Sequence, residues 1–145
     1  MNHCRLIYRS SAVPELLRLD DVRQLARESA QRNEAKNITG MLMLSGNDFL
    51  QVLEGPTDTV NELYAKILSD KRHKQVRLIV YEPMMDRIYP DWGMRAVFMS
   101  SFPEDVVLQM QNKYGIFEGA VQIPSDPFYA KTLLFEIKHL SARRD

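Results

Sequence analysis

Two segments of helical period set among strand-like runs predict an α+β fold for this chain of 145 residues. Apolar residues recur at helical spacing over about residues 19–33 and 57–70, and they alternate or run on at strand length elsewhere. A turn signal, Ser45-Gly46-Asn47-Asp48, divides two of the strand-like runs as a β-hairpin would. Hydrophobic residues make up 45% of the chain, enough at this length for one core and hence one domain as the starting expectation.

Cys4 to Ser10 reads as a first strand that runs into the loop Ser11-Ala12-Val13-Pro14. From Leu19 to Asn33 the period becomes helical, with Val22, Leu25, Ala26 and Ser29 on one side and Arg23, Arg27 and Glu28 largely on the other. Ile38–Leu44 and Phe49–Glu54 are the two arms of the hairpin. Gly55-Pro56-Thr57-Asp58 then supplies helix-start chemistry, and Val60, Leu63, Tyr64, Ile67 and Leu68 form a helical stripe ending near Asp70. Val76–Tyr81 and Trp92–Met99 are expected as two further strands. The resulting order, βαββαββ, is that of a ferredoxin-like sheet with both helices on one face.

The opposite face requires its own cover. Side chains alternate across a strand, so Ile7 points away from Leu6 and Tyr8, and Leu50 and Val52 point away from Phe49, Gln51 and Leu53. Both faces are therefore apolar. Two C-terminal helices, Pro103–Tyr114 and Asp126–Leu140, are expected to cover the second face or to pack on a partner. The core unit is accordingly bounded at residues 1–99 and a helical extension at 100–145.

Composition narrows the function classes. Nineteen basic residues balance nineteen acidic ones, which argues against nucleic acid as a partner. The single cysteine, Cys4, forms no internal disulfide and no metal-ligand cluster, which suits a cytoplasmic protein. No leader-like start or membrane-length apolar run is present, so a soluble, non-exported protein without membrane association is expected. His3, His73 and His139 are scattered, and no nucleophile–base arrangement or glycine-rich phosphate loop follows a strand, so no catalytic residue is assigned.

Tyr8 and Gln51 are polar groups that strand parity aims into one apolar face. An unpaired buried amide or phenol costs about 1–3 kcal/mol, so each needs a partner, whether the other, a backbone group or a ligand. Leu25, Ser29 and Asn33 form one stripe of the first helix, and Asp70-Lys71-Arg72-His73 comes after Ile67 at the end of the second. Together they outline a slot with apolar walls, amides at one end and cations at the other, the general shape of a cofactor site.

These residues resemble a known family, the BLUF domains, blue-light sensors that use FAD. The likeness rests on Leu6–Ser10, Gln31-Arg32-Asn33, Ile38-Thr39-Gly40, Phe49–Gly55, Asp70–His73 and Asp91-Trp92-Gly93-Met94, from about residue 3 to 99. It implies a non-covalently held FAD between the two helices, a sensor and not an enzyme, and a short effector-free type with a helical extension. It also implies that Tyr8 is the photoactive tyrosine and Gln51 the glutamine bridging it to the flavin. The implied cofactor-binding set is Leu25, Ser29, Arg32, Asn33, Gln51, Ile67, Asp70, Arg72 and His73, with Arg72 and His73 a basic pair on the second helix, and with no metal. Trp92 and Met94 match a last-strand pair, implied as the signal relay, whose placement near the glutamine varies among members. Output would pass to a downstream effector or regulator protein, and the chain is expected to self-associate as a homo-oligomer. Two rival readings stand beside this one: a ferredoxin-like enzyme of acylphosphatase type using Arg9 or Arg72 with Asn33, and a non-photoactive interaction domain.

Overall fold

The computed structural model describes residues 2–144, and the side chains of residues 2–141. Five strands, β1 (His3–Ala12), β2 (Thr39–Ser45), β3 (Asp48–Pro56), β4 (His73–Pro83) and β5 (Arg95–Phe98), form one mixed sheet in the order β4-β1-β3-β2-β5. Two helices, α1 (Leu19–Ala35) and α2 (Thr57–Ser69), are inserted as the ferredoxin-like order requires. β1 and β2 both run antiparallel to β3, whereas β5 joins β2 in parallel.

The two sheet faces hold separate cores. Leu6, Tyr8, Leu42, Phe49 and Leu53 face Val22, Val60, Leu63, Tyr64 and Ile67 of α1 and α2. Ile7, Met41, Met43, Leu50 and Val52 face Met110 of α3 (Glu104–Tyr114) and Ala130, Leu133, Leu134 and Ile137 of α4 (Pro127–Arg144). The second face is thus covered by the chain's own C-terminal helices, as alternation in β1 and β3 demanded. At about 25 cal/mol per Å² of apolar surface, each side chain fully buried there contributes roughly 1.5–3 kcal/mol. Arg9, on that face, donates to the carbonyl of Ile123 at 2.7 Å and to the Ser125 hydroxyl at 3.0 Å, tying β1 to the segment that leads into α4.

Local backbone chemistry sets the connections. Gly46 takes φ +59° at the first position of the two-residue β2–β3 turn, which matches the twist of the flanking strands. Gly40 admits no side chain, because a Cβ there would stand 1.9 Å from the Val52 carbonyl oxygen. A small hairpin not expected from the sequence, β6 (Ile116–Phe117) and β7 (Ala120–Val121), links α3 to α4. Its turn residues Glu118 and Gly119 both have positive φ, 49° and 81°. Glutamate seldom supplies that conformation, so the turn carried no sequence signal.

Three sequence expectations are corrected. β4 spans His73–Pro83, longer than Val76–Tyr81, because Gln75 takes φ +56° and its irregularity lets the strand resume pairing with Ser11 and Ala12. The last strand begins at Arg95, not Trp92: regular pairing with β2 starts at Met41–Arg95, and Trp92 offers β2 only its carbonyl, to the Gly40 N–H at 2.8 Å. Arg72 and His73 are not on the second helix. That helix ends at Ser69, Asp70 turns to extended backbone, Arg72 lies in the turn, and His73 opens β4 opposite Ala12.

Candidate functional site

A cavity of about 250 Å³ lies between α1 and α2 above the sheet. Tyr8, Gln51, Leu25, Ser29, Arg32, Asn33, Ile67, Asp70, Arg72, His73 and Met94 all line it, so eleven positions expected from the sequence converge on one cavity. Trp92 does not line it. Its ring packs against Tyr89 at 6.1 Å between centroids and lies under the Arg95 guanidinium at 4.7 Å, beside the core of the α3–α4 face.

The floor is built by strand register. Tyr8 stands opposite Gln51 in the β1–β3 ladder, and Leu42 of β2 stands opposite Gln51 from the other side. The Tyr8 hydroxyl donates to Gln51 Oε1, and Gln51 Nε2 donates to the Met94 sulfur at 3.2 Å. Gln51 therefore bridges β1 to the residue just ahead of β5. A thioether is a weak acceptor and a primary amide has two N–H donors, so Gln51 retains donor capacity for a better acceptor in the cavity. Burial pushes the Tyr8 phenol far above its ordinary pKa, with nearby Tyr64 and Asp70 adding to it. Tyr8 is thus a protonated donor at neutral pH.

The walls arise from helix spacing. Asn33, 3% exposed, donates to the Gly93 carbonyl at 3.4 Å, a long bond that leaves its amide available for a closer partner. His73 replaces a helix cap: Nε2 lies 2.6 Å from the Ile67 carbonyl at the end of α2, and Nδ1 lies 2.9 Å from the Ser10 hydroxyl. The Asp70 carboxylate accepts from the backbone and guanidinium of Arg72, the latter at 2.6 Å, and Arg72 holds the carboxyl below its usual range. Around the mouth stand four cations, Arg32, Lys36, Lys66 and Arg72, against the single carboxylate of Asp70.

Sequence reasoning missed Leu17, Ala26, Lys36, Leu42, Phe49, Leu63 and Lys66 as lining residues. Leu42 was recoverable from hairpin register, and Lys36 and Lys66 from their places beside Asn33 and Ile67. Leu17 lies in the loop before α1, where no periodicity guides the reading. The rival phosphate-binding reading loses Arg9, which serves the opposite face. Glu54, with no exposure, accepts from Arg5 at 2.7 Å and from the backbone N–H groups of Ile88 and Tyr89.

A cavity this small encloses part of a ligand, since sites that bury a drug-sized molecule run to about 300–1,000 Å³. Apolar walls, the amides of Gln51 and Asn33 and four exposed cations define a binding domain for a largely apolar ligand that carries hydrogen-bonding groups and an anionic portion. The comparisons agree. The family model for BLUF, sensors of blue-light using FAD, matches residues 4–95. The alpha subunit of the photoactivated adenylate cyclase of Euglena gracilis is 43% identical over 115 residues, 75% of this chain and 11% of the relative. Its beta subunit is 34% identical over 119 residues, 78% of this chain and 14% of the relative, so the chain spans only a small part of these curated relatives. The dark-state structure of BlrB, a BLUF protein, shares a TM-score of 0.74 at 27% identity and covers 97% of both chains. This chain belongs to the BLUF family: it is a blue-light sensor, and its cofactor is FAD. The BLUF domain is itself a sensing unit and not a catalytic one.

The donor set fits that cofactor. The polar edge of an isoalloxazine ring presents carbonyls and an imide N–H, which primary amides such as Gln51 and Asn33 complement. A pyrophosphate tail suits the cations at the mouth. Among the described residues no group of His, Cys, Asp and Glu is arranged to hold a metal, and no helix is long and apolar enough to cross a membrane.

Proposed function

We propose that Tyr8 and Gln51 carry the light response of this sensor and that its output leaves through Met94 and the C-terminal helices toward a downstream effector or regulator protein. The observation that carries the reading is the continuous contact Tyr8–Gln51–Met94 along the cavity floor. Bound between the helices, FAD would supply a blue-absorbing ring able to accept an electron from a neighbouring residue. Tyr8 is the donor, and its proton leaves along the existing hydrogen bond to Gln51 Oε1. Both return to Tyr8, so no net chemistry occurs. Gln51 remains rearranged, because an amide carries a donor and an acceptor whose exchange rewrites its bonds to Tyr8 and Met94. Leu25 and Ile67 would flank the ring, Asn33 would hold its polar edge, Ser29, Arg32 and Arg72 would face the tail, and Asp70 and His73 would fix the end of α2.

In this reading residues 1–99 hold the cofactor and residues 100–145 transmit its state, acting as a homo-oligomer in the cytoplasm and without catalysis of their own. The buried, unpaired thiol of Cys4 suits a reducing compartment. The photoactivated adenylate cyclase subunits among the relatives support an effector as the recipient.

Absorption spectra of the purified protein, taken in the dark and after blue light, test the reading. The flavin band is expected to shift to longer wavelength and recover in the dark, and Tyr8→Phe is expected to bind the flavin and show no shift. A wild-type spectrum indifferent to light, or a normal shift in Tyr8→Phe, overturns it.

A further inference from the structure

Lys138, half-buried on α4, reaches back to the segment that carries Met94. Its ammonium donates to the Ile88 carbonyl and stands 5.4 Å over the ring of Tyr89. The N–H of that same peptide group belongs to Tyr89 and donates to Glu54 Oε1 at 2.8 Å. One peptide group is therefore gripped by a cation at its oxygen and an anion at its hydrogen. Both bonds are charge-assisted, and together they align with the peptide dipole.

The grip also constrains the residues just beyond it. Tyr89 is 2% exposed and packs on Trp92, whose carbonyl holds β2 at Gly40 and which precedes Met94 by two residues. Arg87 pins the same segment from the other side, donating to Thr39 at 2.8 Å and to the Asn37 carbonyl at 2.7 Å. Residues 87–92 thus form a braced unit, so a change at Met94 is carried along it more readily than absorbed within it. On α4 the contact is two turns from Lys131, which pairs with Glu82 at 2.6 Å, and the buried Leu134 and Ile137 lie between the two lysines. The first half of the helix is anchored to β4, and the second half is held to the braced unit by Lys138.

We propose that Lys138 is the positioning residue that hands the state of the Gln51–Met94 contact to the C-terminal half of α4: when Gln51 rearranges, the braced unit shifts, the Lys138 contact is released, and the last two turns of the helix loosen. The inference rests on the light-sensing reading above and gives it a specific exit.

The test measures amide hydrogen exchange across α4 in the FAD-loaded full chain, in the dark and under blue light, with the absorption shift recorded on the same samples. In the wild type, light is expected to raise exchange over residues 137–144, the last two turns of α4. Lys138→Met keeps the apolar stem and removes the donor. It is expected to raise dark exchange there by about tenfold, the factor lost with one charge-assisted hydrogen bond, to abolish the light-dependent difference, and to leave the absorption shift intact. Lys138→Arg is expected to restore the difference, an outcome a merely structural lysine would not require. Tyr89→Leu, which keeps the backbone bonds but removes the ring under the ammonium, is expected to weaken the difference and covers the case in which Lys138→Met does not fold. A wild-type absorption shift without any change in α4, or an undiminished light difference in Lys138→Met, overturns the proposal. A wild type with no absorption shift instead overturns the light-sensing reading itself.

Discussion

Tyr8 and Gln51 occupy one rung of the β1–β3 ladder, and the phenol of the first donates to the amide oxygen of the second within a face otherwise lined by apolar side chains. Each therefore satisfies the other, and neither tolerates loss of its partner alone. In the dark, Tyr8→Phe and Gln51→Leu are each expected to destabilise the protein by about 1–3 kcal/mol. The double variant is expected to cost less than the sum, with a coupling of about 0.5–3 kcal/mol. Urea unfolding of the four proteins measures it, and strict additivity would contradict the pairing.

Met94 offers Gln51 a sulfur acceptor at 3.2 Å. Met94→Leu conserves volume and removes that acceptor, so stability should fall by less than about 1.5 kcal/mol. A weak bond of about 0.5–1 kcal/mol is lost from one of the two Gln51 arrangements. Dark recovery after blue light is accordingly expected to change by about two- to fivefold, read from the flavin absorption trace. An unchanged recovery would remove Met94 from the response.

Burial raises the phenols of Tyr8 and Tyr89, which are 3% and 2% exposed. Unfolded tyrosines titrate near pH 10, so below about that pH both folded and unfolded chains keep these protons and pH does not discriminate between them. Above it only the unfolded chain releases them, and stability falls as pH rises. The slope approaches about 1.4 kcal/mol per pH unit for each such phenol. Unfolding midpoints tracked across the alkaline limb are expected to decline less steeply in Tyr8→Phe and in Tyr89→Phe than in the wild type.

Glu54 is a fully buried carboxylate set against Arg5, with the Ile88 and Tyr89 N–H groups completing its shell. Glu54→Gln leaves the Arg5 guanidinium without its inner counter-charge. The expected loss is about 3–5 kcal/mol in chemical unfolding, the cost of breaking a buried pair from one side. A loss below about 1 kcal/mol would show that Arg5 is balanced by Glu82 alone.

The sequence by itself determined the element order, the sheet faces and most of the lining of the cavity, because these arise from periods of 2 and 3.6 and from short-range turn chemistry. Tyr8 and Gln51 could be aimed at one face by parity, and Leu25, Ser29 and Asn33 at one stripe by helical spacing, before any contact was known. The family resemblance, and not the spacing, named FAD and light. What parity could not supply was the rung: only β1–β3 register puts Tyr8 opposite Gln51. The end of α2 was misplaced because Asp70–His73 looks like a basic helix terminus, while the choice between one more turn and a strand is made by pairing of His73 with Ala12 across the sheet. Whether Trp92 or Met94 meets Gln51 was likewise open. Both sit outside the regular ladder, so alternation does not assign their faces, and the decision falls to tertiary packing of Trp92 on Tyr89 and the hold of Glu54 and Lys138 on the peptide between Ile88 and Tyr89. Such contacts join residues 35 to 50 positions apart. No local pattern encodes them, because they exist only once the sheet and α4 have brought the two charges to the same peptide.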